Sequence, residues 1–197
     1  ENGLVFSQSK GVSSNDAIQT SPRVKRNNSG DVFIQWKDLR FDPVNGDIFM
    51  QKIASNGEAL WTDGVQVDPT DGVNFSGRFA SNNLGGFDIF WERGVYPNVD
   101  ILFRRFGSSG SPLTNDPVNV AIGDGYQFAP NIISGSGDSV FVVFADQSTG
   151  SIDLRVQYFK GNDPIMEENG ILAQKGLDGD IKYNNAFFNQ SQDITLF

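Results

Sequence analysis

The stretch DVFIQWKDLRFDPVNGDIFMQKIASNGEALWTDGVQV occupies residues 31–67. It reads as a strand, a loop, a second strand, a short turn and a third strand. Residues 86–120, GFDIFWERGVYPNVDILFRRFGSSGSPLTNDPVNV, repeat that plan loosely. A recurring plan is sought first, because its period decides the architecture.

The aromatic that closes the second strand of each unit sets the phase. It is Trp36, Trp91, Phe144 and Phe197, at steps of 55, 53 and 53 residues. Asp47, Asp100 and Asp153 open the following strand at a constant step of 53. Gly57 and Gly110 mark the next turn, with Gly161 near the same place. Pro22, Gly77, Pro130 and Tyr183 each lie 14 residues before the aromatic.

Each unit predicts four short strands. In the first unit they are PRVKR, DVFIQW, DIFMQKI and GVQV, here termed A, B, C and D. NNSG, SNGEA and DPTDG supply the turn chemistry between them. No helical period of useful length is present. Strand B is apolar on both faces: Ile34, Ile89 and Val142 share the side of the aromatic, and Phe33, Phe141 and Ile194 take the other. A strand apolar on both sides is covered on both sides. Small four-stranded antiparallel sheets stacked about an axis satisfy this, which predicts an all-β fold, a β-propeller. Stacked units also tolerate loose repetition, because each buries its faces only against neighbours.

The predicted blades span 22–68, 77–121 and 130–174, with partial strands in 1–15 and 183–197 of a single propeller region, 1–197. Residues 2–14 parallel the D strand, and the last residues end a B strand. One C strand is then lacking, a gap of about 4.8 Å with exposed edges. The expectation is an incomplete part of a larger propeller, its remaining blades coming from the same or another chain.

Composition narrows the function classes. Cys and His are both absent, which removes disulfides, thiolate chemistry and His-based dyads, triads and zinc sites. The charge of −9, with no Lys/Arg cluster, argues against nucleic acid as a partner. No apolar run approaches the ~18 residues of a membrane span. The first ten residues lack the basic start and apolar stretch of a signal peptide.

Pro22, Gly30, Trp36, Asp38, Asp47, Ile48, Gln51, Asn56, Gly57, Trp61, Gly64, Val65 and Val67 carry a pattern that resembles propeller repeats of large secreted or surface-exposed bacterial proteins. The second unit has Gly77 for the Pro and Arg93 for Asp38. The third has Phe144 for the Trp but keeps Pro130 and Asp146. The resemblance implies the fold and an exported, secreted or cell-surface location.

Candidate ligand residues come from two places. The A strands of a propeller line its axis, and the position after the Pro/Gly anchor holds Arg23, Arg78, Asn131 and Asn184. Two arginines there could hold a carboxylate or sulfate. The A strands carry no carboxylate, whereas glycoside cleavage needs two. The B–C loops diverge most, and they place Arg40 and Phe41, and Arg93 and Tyr96, as exposed pairs of the kind binding faces use. Trp36, Trp91, Phe144, Phe197, Asp47, Asp100 and Asp153 are read as scaffold. Asp38 and Asp146 are expected to bond nearby backbone N–H groups. The densest oxygen cluster is GLDGD at 176–180, where Asp178 and Asp180 are weak Ca²⁺ candidates. Ca²⁺ takes six to eight oxygens, and turn chemistry accounts for Asp-Gly, so no cofactor is expected.

The leading expectation is a non-enzymatic extracellular module, either structural or binding a protein or glycan partner. One alternative is a glycan-active enzyme, hydrolase or lyase, with acids in loops or missing blades; the pair Glu92 and Asp42 is the one to look for. The other is an assembly subunit completed by strand addition from another chain.

Overall fold

The computed structural model describes residues 11–70, 72–75, 77–177, 186–188 and 194–196. The described residues form strands, turns and bends, with no helix. The first sheet holds β1 (Gln19–Arg26), β2 (Val32–Asp38), β3 (Asp47–Ile53) and β4 (Val65–Gln66) in chain order. The second holds β5 (Arg78–Ser81), β6 (Phe87–Val95), β7 (Asn98–Phe106) and β8 (Val118–Ala121), again in order. All neighbours within these sheets run antiparallel. The chain is all-β and built of antiparallel four-stranded sheets, a propeller-like plan.

The third sheet departs from the expected four strands. β9 (Gln127–Ser134), β10 (Ser139–Asp146) and β11 (Ile152–Lys160) follow the plan. The outer edge of β11 is then shared by β12 (Asp163–Pro164) and β13 (Ile171–Leu177). β11 has nine residues, long enough for two short segments to pair end to end. β14 (Ala186–Phe188) and β15 (Ile194–Leu196) pair antiparallel beyond it.

The sheets stack face to face, and the alternation of strand B explains why. Phe33 and Met50 of the first sheet pack with Ile89, Trp91 and Leu102 of the second. Phe90 and Phe103, on the opposite face of the second, pack with Val142, Phe144 and Phe159 of the third. Ile89, Trp91, Val142 and Phe144 are all completely buried. Each such side chain contributes about 1.5–3 kcal/mol relative to exposure. On the same face of the first sheet, Trp36 and Phe49 are buried, but toward β1 Val24 is 66% exposed and its partner Ile34 is half-buried. First strands lie beside first strands, β1 with β5, β5 with β9 and β9 with β14.

The first two D segments, β4 and β8, are short, and side chains add to the ladder pairs that hold the outer strands. The Gln51 amide donates to Trp61 O at 2.6 Å and accepts from Trp61 N at 3.0 Å. Gln157, two units on, donates to Glu167 O at 3.0 Å and accepts from Met166 N at 3.1 Å. Arg104 takes this position in the second unit and donates to the carbonyls of Val67, Thr114 and Asn115.

Candidate functional site

The register fixes where the inner-strand candidates stand. Arg23 lies opposite Gln35, Arg78 opposite Phe90 and Asn131 opposite Val143. Each partner immediately precedes the aromatic anchor of its unit. The three residues therefore occupy one equivalent position on three successive first strands. Asn184, Phe197, Asp178 and Asp180 lie outside the described residues.

The B–C loop candidates divide. Arg40 serves the fold: its Nε and Nη2 donate to Asp38 Oδ1 and Oδ2 at 2.9 and 2.7 Å, and its guanidinium lies 4.2 Å from the Phe49 ring centroid. Its side chain is only 11% exposed, so the pairing with Asp38 takes it away from a ligand. Phe41 remains largely exposed beside Phe49. Arg93 bonds Asp68 Oδ2 at 3.3 Å and Thr70 Oγ1 at 3.2 Å. Tyr96 is 73% exposed.

Scaffold aspartates behave as a set. Asp47 faces Asp38 across the β2–β3 hairpin, Asp153 faces Asp146, and Asp100 faces Arg93. Asp38 accepts from the Arg40 amide and Asp146 from the Ser148 amide, both at 3.0 Å. Asp100 and Asp153 accept from the amides of Gly123 and Gly176, which ties each C strand to the chain leaving its unit.

Glu92 and Asp42 do not form the pair sought. Asp42 closes the turn before β3, accepting from the amides of Val44 and Asn45. Its charge helps raise the Asp47 carboxyl above the ordinary aspartate range. Glu92 stands elsewhere, in the seam between the second and third sheets. There its Oε1 accepts from the Ala129 amide at 2.8 Å. Ala129 has a φ of 53°, at a point where β9 changes register against β10. Burial pushes the Glu92 carboxyl above the ordinary glutamate range, against the opposing pull of the Ala129 amide and of Arg78. A desolvated carboxyl of this kind holds its proton at higher pH than a surface one.

Beside it runs a short aromatic row. Tyr96 meets Tyr126 edge-on at 5.7 Å, and Tyr126 stacks on Phe128 at 4.4 Å. Burial, then Glu92, then Tyr96 push the Tyr126 phenol above its usual range. Tyr126 and Phe128 were not among the sequence candidates. The signal was the spacing YQF at 126–128, which puts two rings on one side of an extended strand.

A polar cavity of about 380 Å³ opens at the other end of the first strands, between the turns that follow β1, β5 and β9. Asp88 and Arg105 line it, but they are bonded to each other by two contacts of 2.8 Å. The chemistry-bearing group is Glu92, at the opposite end.

No family model matches this chain, and no curated protein matches it. Among solved structures, the crystal structure of an endo-arabinase from Bacteroides thetaiotaomicron VPI-5482 shares the fold, with a TM-score of 0.53. The alignment covers 98% of this chain and 73% of that one, at 10% identity, so the likeness is one of fold. It corrects the leading expectation of a non-enzymatic binding or structural module. The solved fold that this chain follows almost end to end belongs to an enzyme.

Proposed function

We propose that this chain is part of a glycan-active enzyme that cleaves glycosidic bonds, with Glu92 as the proton donor. The observation that carries the reading is a carboxyl of raised pKa, held by one backbone amide and flanked by a row of three rings. Glycoside hydrolysis uses such a carboxylic acid to protonate the leaving oxygen while the bond to the sugar carbon breaks. Aromatic faces beside a few placed polar groups are the usual lining of a small-molecule site. The solved endo-arabinase fold supports the same class.

The chemistry requires a second carboxylate. Among the described residues, the charged group that acts on Glu92 is Arg78, not another acid. In our reading the second acid comes from outside those residues. The sheets are blades of a larger propeller in an exported protein. Exposed Val24 and half-buried Ile34 support this, since their counterparts in the next two sheets are sealed.

Reducing-sugar release from a panel of polysaccharides that includes arabinan tests the reading. Activity on one member, lost in Glu92→Gln with the melting temperature not lowered, is the expected result. Equal activity of Glu92→Gln and the parent, or a folded protein inert across the panel, overturns it.

A further inference from the structure

Three turns meet around the polar cavity at the end of the first strands remote from Glu92, and buried cations staple them there. The cavity holds about 380 Å³, and every residue lining it is Asn, Ser, Gly, Asp or Arg. Lys52 on β3 donates from Nζ to the Gly85 carbonyl of the second turn at 2.8 Å. Arg105, at the same repeat position on β7, donates from Nη2 to the Asp138 carbonyl of the third turn, also at 2.8 Å. Each seam is thus crossed by a cation that holds the next turn by its backbone. Part of the lining is satisfied within the fold. Asn27 bonds Asp31, Asn82 bonds Asp88 and the Leu84 and Gly86 amides, and Asp88 pairs with Arg105. The side chains of Asn28, Asn83, Ser134 and Asp138 belong to the same lining. Among the described residues none of these four side chains has a hydrogen-bond partner.

We propose that this cavity is a second glycan site, which holds a neutral sugar unit without cleaving it. The proposal goes beyond the cleavage reading and does not depend on it. The cavity volume falls within the roughly 300–1,000 Å³ of small-molecule sites. A wall without apolar side chains gives an aromatic or aliphatic ligand nothing to bury against. The charged lining groups are Asp88, Arg105 and Asp138, so the ion pair cancels and one carboxylate is left over. An anionic ligand would meet that carboxylate without a free cation beside it. A sugar meets both conditions. Its hydroxyls donate to the Asp138 carboxylate, and the carboxamides of Asn28 and Asn83 both donate to hydroxyls and accept from them. Asn28 and Asn83 occupy one repeat position on successive turns, so like amides from adjoining sheets line one cavity. The stapled turns hold these groups before a ligand arrives, which lowers the ordering cost of binding.

Calorimetric titration with oligosaccharides of arabinan, galactan, xylan and glucan tests this. Binding of at least one is expected, with about a tenfold loss in Asn83→Ala and again in Asp138→Ala at an unchanged melting temperature. Repeating both changes in a Tyr96→Ala background keeps the Glu92 end out of the readout, and the loss should persist there. In the unaltered chain, the amide resonances of Asn28, Asn83 and Asp138 should shift as the oligosaccharide saturates. No binding of any oligosaccharide, unchanged affinity in the Asn83→Ala/Asp138→Ala double variant, or shifts confined to Tyr96 and Tyr126 overturns the inference. The two proposals fail separately. An oligosaccharide held at this cavity and never cleaved leaves this one standing and removes the enzyme. Cleavage that depends on Glu92, with binding indifferent to the double variant, does the reverse.

Discussion

The Ala129 amide donates to Glu92 Oε1 at 2.8 Å, joining two residues 37 positions apart across the seam of neighbouring sheets. Partial burial of the carboxyl outweighs this bond and the nearby Arg78, both of which favour the charged form. Its proton is therefore retained above the ordinary glutamate range.

Replacement of Glu92 by Gln should lower turnover by about 10²–10⁴-fold, the usual contribution of a positioned acid. Stability should move the other way. A carboxyl raised in the folded state contributes fully below its unfolded pKa, and that contribution is lost as pH rises through the folded value. Glu92→Gln should therefore melt at or above the parent at pH 7, with the gap closing toward pH 4. Melting curves at both pH values check it; a lower Tm at pH 7 contradicts the assignment.

On the proposed reading, the exposed Tyr96 ring is the one that meets a sugar face. Tyr96→Ala should weaken oligosaccharide binding by about 0.5–1.5 kcal/mol, the range for one aromatic pair. Its exposure means that the melting temperature should barely change. A raised KM with kcat kept is the expected pattern, read from initial rates.

Asp88 and Arg105 form a bidentate pair whose side chains are 6% and 3% exposed. Asp88→Ala leaves the guanidinium buried without its carboxylate and should cost about 3–5 kcal/mol. Denaturant unfolding of Asp88→Ala and of the double change Asp88→Leu/Arg105→Met separates the cases. The double variant should recover part of the loss.

Asp38 and Asp47, opposite each other in one hairpin, should respond to pH with opposite signs. Burial, then Asp42, Asp68 and Asp38 raise Asp47. Burial also acts to raise Asp38, but Arg40 and the Trp36 indole outweigh it and hold the carboxyl low. Asp47 therefore contributes at acid pH and loses that contribution as pH rises through its raised pKa. Asp38 contributes above its unfolded pKa and loses that contribution as pH falls through its lowered one. At pH 7 Asp47→Asn should raise the melting temperature and Asp38→Asn should lower it. Matching shifts of one sign would sink the account.

Much of the fold was legible because it is written locally. Alternation in DVFIQW assigned Phe33 and Ile34 to opposite faces, and the sheets stack on those faces. The aspartate at 47, 100 and 153 was readable as scaffold, and two of the three bond the chain leaving their unit. Gln51 belonged to the repeating pattern, but its grip on Trp61 needed coordinates to be seen. The splitting of the outer strand into β12 and β13 was not legible, since both segments depend on the length of their common partner.

The site was less visible. Arg40 looked available to a ligand, because nothing in LRFDPVNG says that its guanidinium turns back onto Asp38. Glu92 was noticed but matched with the wrong partner. By itself the sequence determined the repeat, the four-strand unit and which side chains face a neighbour, since strand period and turn chemistry act over a few residues. The tertiary structure alone decided which carboxyl is desolvated and which turns meet around one cavity. Both depend on how one sheet is seated against the next, and that distance is set by packing across the seam rather than by spacing along the chain.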